Sequence, residues 1–170
     1  MKRTTAAVLA VTLMILMIPG LTGCKKAPKE WYKETLEYYK DGVNNGFKTT
    51  YRNLNVPDEL KDKNNKIGYL LIDLDKDGTD ELLIGLIDDS ASTKFTNVIV
   101  AHSDLGTYCL LSGTSGSYIY LCADNVLLME DTRISTAEKE FMKWNSKKNA
   151  FDVIEGEGKY LGKKWDLTAF

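Results

Sequence analysis

Asp73, Asp75 and Asp77 occupy every second position of a short loop, Gly78 follows, and Glu81 closes a nine-residue stretch that began at Asp73. Carboxylates at this spacing turn their oxygens toward one centre, and Gly78 permits the sharp turn that follows. All-oxygen donors of this kind suit a hard cation, calcium before any other. The alternatives are another divalent ion or a bare solvated turn, in which four carboxylates would repel one another at close range.

Two apolar runs, Ile67 to Ile72 and Leu82 to Ile87, must position this loop. They are nearly continuous rather than alternating, which predicts strands buried on both faces. An EF-hand is excluded on two counts. Its loop is flanked by helices and ends on a bidentate Glu at position twelve, whereas position twelve counted from Asp73 is Ile84.

The run Asp73-Leu74-Asp75-Lys76-Asp77-Gly78-Thr79-Asp80-Glu81 resembles the calcium-binding β-hairpin loops of integrin-type FG-GAP and VCBS propeller blades. The resemblance implies side-chain oxygens from Asp73, Asp75, Asp77 and Glu81 and the backbone carbonyl of Thr79, with Asp80 pointing to solvent. Propellers repeat the loop blade after blade, but this chain carries it once, so a propeller is not expected. A wider pattern combines Trp31-Tyr32 on an N-terminal helix, the strand–loop–strand unit and a later Tyr118-Ile119-Tyr120-Leu121 strand after a Gly/Ser turn. It resembles small secreted proteins and lipoproteins of Gram-positive bacteria that carry a single loop of this type. That likeness spans about residues 30–160 and brings a fold and a calcium loop, but no activity.

The N-terminus supplies an address. Lys2 and Arg3 precede an apolar run from Ala6 to Ile18, and Pro19-Gly20 breaks it. The run is too short for a membrane span and reads as the core of a signal peptide. Leu21-Thr22-Gly23-Cys24 resembles the lipobox of bacterial lipoproteins, which implies cleavage after residue 23 and a diacylglycerol on Cys24. Each buried methylene of such chains contributes about 0.8 kcal/mol, so two or three acyl chains anchor firmly. Cleavage removes Lys2 and Arg3 and no acid, which moves the formal charge from −2 to −4. The mature chain is mildly acidic and has no basic run beyond Lys25-Lys26, so nucleic acid is not an expected partner. Residues 24–29 read as a lipid-anchored tether, in which Lys25 and Lys26 meet anionic headgroups.

Cys109 and Cys122 remain after lipidation of Cys24. If residues 112–117 turn a hairpin, the two could face each other across a strand pair. They are either a disulfide, which an extracytoplasmic location permits, or two buried thiols.

Residues 30–62 read as helical and residues 67–162 as a β-meander, in one domain over residues 30–170. The helix from Glu30 to Lys40 presents Tyr32, Leu36 and Tyr39 on one face, and Asp41-Gly42 is expected to end or bend it. Phe47, Tyr51 and Leu54 offer a weaker helical face, and Pro57 opens one more short turn. Strands are expected at Phe95–Ala101, Tyr108–Leu111, Tyr118–Cys122, Val126–Met129, Glu138–Trp144 and Ala150–Ile154. The class is α+β, with the helix packed on an antiparallel sheet. The tail from Lys163 to Phe170 is left unassigned.

Nothing in the sequence assembles a catalytic centre. His102 is the lone histidine, so a multi-histidine zinc site is excluded, and its neighbours Ser103 and Asp104 are adjacent in sequence rather than converging from a distance. Asp88, Asp89 and Glu130 are nominal partners for glycoside hydrolysis that no pattern singles out. Trp31, Tyr118, Tyr120, Trp144 and Trp165 fit a core better than a glycan platform. The expected protein is an extracytoplasmic, membrane-anchored lipoprotein with one structural calcium, acting as a binding or envelope-associated module with a glycan or protein partner. The alternatives are a carbohydrate- or peptidoglycan-binding domain using exposed aromatics, and a small envelope hydrolase.

Overall fold

The computed structural model describes residues 28–52, 54–102, 106–133, 138–155 and 162–170. The expected signal peptide, Cys24, most of the expected tether, Ser103 and Asp104 lie outside the described residues, as does the side chain of His102.

Among the described residues, three α-helices precede nine strands. The helices are α1 (Pro28–Trp31), α2 (Lys33–Asn45) and α3 (Asp58–Lys61). The strands are β1 (Ile67–Ile72), β2 (Glu81–Leu86), β3 (Phe95–His102), β4 (Gly106–Ser112), β5 (Ser117–Leu121), β6 (Leu127–Asp131), β7 (Glu138–Asn145), β8 (Ala150–Ile154) and β9 (Thr168–Ala169). Every strand pair among the described residues is antiparallel. Helix already begins at Pro28, inside the expected tether, and α2 runs through Gly42 instead of ending there. A lone glycine lowers helix stability without forbidding helix, and the ring of Phe47 packs directly over Gly42. The helix stops at Gly46, whose N–H bonds the carbonyl of Gly42. The stretch that includes Phe47 and Tyr51 is not helical, whereas α3 starts immediately after Pro57, where proline's missing N–H costs nothing.

The sheet is not a simple meander. Its order is β8-β7-β6-β5-β3-β2-β1-β9, with β4 paired to β3 beside that path. One side of β3 holds β2. The other is shared: β4 takes Asn97 to His102, and β5 takes Phe95 opposite Ile119. The sheet therefore divides at β3 into a β1–β4 half and a β5–β8 half. The unassigned tail supplies β9, which pairs Gly68 with Ala169 at the β1 edge.

β4 and β5 consequently do not pair along their length, and the hairpin that would have faced Cys109 toward Cys122 does not form. Both cysteines are free thiols. Cys109 packs against the cluster that contains Tyr39, while Cys122 belongs to a separate cluster with Val126, Leu128 and Phe141. Burial raises both thiols above their ordinary range.

The central strand β2 is buried along its whole length, as its continuous apolar run predicts. Leu82, Ile84 and Leu86 join one cluster with Tyr32, Tyr39, Leu60 and Ile99. Leu83, on the opposite face, joins Phe95, Val98, Leu127, Met142 and Trp144. The loop carrying the carboxylates connects β1 to β2, beside this doubly buried strand.

Candidate metal site

Strands β1 and β2 pair in unbroken register from Ile67–Leu86 to Ile72–Glu81, so the ends of the loop are fixed opposite each other. Inside it, backbone N–H groups point at the acids. Asp77 N–H donates to Asp73 Oδ1 at 3.0 Å, and Gly78 N–H to Asp73 Oδ2 at 2.9 Å. Thr79 N–H donates to Asp77 Oδ1 at 2.7 Å. Lys76 and Gly78 both take positive φ, 64° and 97°, which winds the chain tightly enough for these bonds. The Cβ that any other residue would carry at Gly78 meets open space, so backbone conformation alone selects glycine there.

Asp73, Asp75 and Glu81 converge. One carboxylate oxygen from each lies within 4.8 Å of the others. Asp77 stays outside that group, exposed, with its carboxylate folded back onto the Thr79 amide. Five donors were expected from Asp73, Asp75, Asp77, Thr79 and Glu81, and three of them are brought together.

Glu81 is the unusual member, because it is only 3% exposed. Its side chain shares the face of Leu83. Its Oε2 accepts the Leu74 N–H at 2.8 Å. Burial pushes its pKa up to about 8; the Leu74 N–H opposes the shift, and the charges of Asp75, Asp77 and Asp73 add to it. Among the described residues no lysine or arginine pairs with Asp73, Asp75, Asp77 or Glu81. A buried carboxylate beside two others and without a cation is electrostatically unfavourable, and a divalent ion would remove that cost. The donors are all hard oxygens, a set that suits a hard cation better than zinc or copper.

Sequence reasoning missed the groups that reach this loop from far along the chain. Asn125 Nδ2 donates to the carbonyls of Asp73 and Leu74 at 2.9 and 3.1 Å. Ser146 N–H donates to Asp75 Oδ2 at 2.8 Å. Leu74, lying between two acids in a loop, is nonetheless buried in the core with Leu127, Met142 and Trp144. The only sequence signal for that role is a large apolar residue between the aspartates. Asn125 and Ser146 stand in ordinary turns and carry none.

Among the described residues, the other singled-out residues do not assemble a second site. Asp88 is paired with Lys94 at 3.4 Å and Lys164 at 3.7 Å, and Glu130 with Lys139 at 3.1 Å. Trp144 is core, and Trp165 is half-buried with its indole N–H on the Leu121 carbonyl. Trp31, 44% exposed, is the one large aromatic on the surface among the described residues. No family model, no curated protein and no solved structure matches the chain significantly.

Proposed function

We propose that the protein is a membrane-anchored, extracytoplasmic lipoprotein whose α+β domain holds one structural calcium ion between β1 and β2. It acts as a binding or envelope-associated module. The observation that carries the calcium reading is Glu81, buried within 4.8 Å of Asp73 and Asp75 oxygens with no cationic side chain paired to it among the described residues. Asp73, Asp75 and Glu81 hold the ion by side-chain oxygens, joined by the Asp77 carboxylate and the Thr79 carbonyl. The ion supplies positive charge and fixes the β1–β2 hairpin. Affinity is expected in the range of extracellular modules, on the order of 0.1–1 mM.

In this reading Tyr32, which precedes α2, and Leu36 and Tyr39 of α2 cover one face of the sheet, which leaves the opposite face of β2 to the β5–β8 half. Cys24, lipidated after cleavage of residues 1–23, holds the domain close to the membrane, where a glycan or protein of the envelope is its partner.

Calcium titration by calorimetry, with melting curves in calcium and in chelator, tests the ion. Wild type should melt higher in calcium, and Asp75→Ala should abolish the difference. Identical curves in calcium and chelator for wild type would sink the proposal. The anchor is tested separately. Palmitate labelling should tag the full-length chain in a Gram-positive host, Cys24→Ser should remove the label, and persistence of the label would remove the lipobox from the account.

A further inference from the structure

We infer that Asn125 and the Ser146 amide are positioning groups for the calcium loop, so that ion binding and docking of the β5–β8 half onto the β1–β4 half are thermodynamically linked. This rests on the calcium reading above and adds to it a partner for the ion's effect inside the same chain.

The loop is attached to the β5–β8 half in three ways. Leu74 drives its side chain into the core formed with Leu127 of β6 and Met142 and Trp144 of β7. Asn125 spends its amide on the Asp73 and Leu74 carbonyls. Ser146, in the turn between β7 and β8, donates its backbone N–H to Asp75 Oδ2. Two of the three converging acids thus have their backbone or carboxylate held by residues 52 and 71 positions away.

The turn that presents Asn125 is shaped for the task. Residues Ala123–Asn125 form a short 3-10 turn between β5 and β6, closed by Cys122 N–H on the Val126 carbonyl at 2.8 Å. Asp124 and Asn125 both take left-handed backbone, at φ 55° and 56°. That conformation is costly for most residues and mild for asparagine, and here it directs the side-chain amide at the loop. The Asp73 carbonyl it holds belongs to the first acid of the cluster, and the Ser146 N–H fixes one oxygen of the second. Each aspartate is thereby oriented before an ion arrives, which lowers the ordering cost of binding. By reciprocity, an ion that tightens the loop tightens the same contacts to the β5–β8 half by an equal factor.

Two variants remove these groups with little other change. Asn125→Gly deletes the amide and keeps a residue suited to positive φ. Ser146→Pro deletes the N–H at the second position of the Asn145–Lys148 turn, whose closing bond runs from Lys148 N–H to the Asn145 carbonyl, and proline is favoured there. In full mature chain titrated with calcium alone, each variant should weaken calcium affinity about three- to tenfold. Melting in chelator should fall less than melting in calcium. Hydrogen exchange at the Ser146 amide should slow when calcium is added to wild type. Wild type that binds calcium while both variants bind it equally well, or a Ser146 amide indifferent to calcium, would overturn the linkage and leave the structural-ion reading standing. Wild type without any calcium response would overturn both.

Discussion

The Tyr32 hydroxyl donates to the Asp80 carbonyl at 2.8 Å and accepts the Ala101 N–H at 3.0 Å, so one phenol joins the start of α2, the end of the acidic loop and β3. The side chain is fully buried, and burial, reinforced by the nearby charge of Glu81, holds its pKa far above the ordinary tyrosine range. It works as a neutral hydroxyl with both roles filled. Tyr32→Phe keeps the ring and leaves two backbone groups without partners. A loss of about 1–3 kcal/mol in urea unfolding is expected. A neutral result would mean that water replaces the hydroxyl.

The C-terminal segment is latched by an acid. Asp88 lies between Lys94 and Lys164, and Lys164 also donates to the Asp88 carbonyl. Burial alone would raise the Asp88 pKa, but hydrogen bonds from Ser90 and the charge of Lys94 outweigh it and hold the carboxyl below its ordinary range. A carboxyl depressed in the folded state adds stability above its unfolded pKa, about 3.9. That stability fades as pH falls through the lower folded value. Asp88→Asn should therefore be less stable than wild type at pH 7, by about 1 kcal/mol or less for so accessible a pair. The two unfolding curves should converge as pH falls below the depressed folded value, where wild type is also protonated. A gap that persists there would assign the effect to packing instead.

Much of the β structure was legible. The apolar run at β1 and the short strands between turns land within one or two residues of their expected positions, because alternation and turn residues act locally. Met142 and Trp144 on one side of β7 and Phe141 on the other follow from strand period alone, and they occupy different clusters as expected. Pairing was not legible. The division at β3 depends on which strand wins each half of one edge, a long-range outcome that no window around Cys109 or Cys122 contains. The site was legible to the same extent. Asp73, Asp75 and Glu81 were readable from spacing because the loop is continuous, whereas Asn125 and Ser146 arrive by tertiary folding. Asp77 was expected with the cluster and instead bonds the Thr79 amide, an Asx-type turn that competes for the same oxygen.

Gly42 shows local propensity losing to packing. In an exposed helix interior, replacing glycine by alanine stabilises by about 1 kcal/mol. Here a Cβ would lie 2.2 Å from the Phe47 ring, which is itself edge-on to Tyr38 and Tyr39. The ring would have to leave those contacts. Gly42→Ala should therefore destabilise the protein, by about 1–2 kcal/mol. In a Phe47→Ala background the same change should become neutral or favourable. Thermal melting of the four proteins closes the cycle. Equal effects of Gly42→Ala in both backgrounds would show that Phe47 is not the obstacle.

Glu81 offers the sharpest separation of a structural ion from a merely acidic turn. If calcium compensates the buried charge, then in chelator the carboxylate is a liability, crowded by Asp73 and Asp75 with only the Leu74 N–H in support. Glu81→Gln keeps the shape, can still accept that N–H, and, with both proteins compared above pH 8 where the ion-free Glu81 carboxyl is ionised, removes one negative charge. In chelator the variant should melt at or above wild type, and relief of a buried charge repulsion of this kind is worth on the order of 1–3 kcal/mol. In calcium the order should reverse, because glutamine is a neutral and weaker ligand than a carboxylate for a hard cation. The crossing of the two orders is the diagnostic result. If Glu81→Gln were less stable by the same amount in chelator and in calcium, the carboxylate would be serving the Leu74 amide alone.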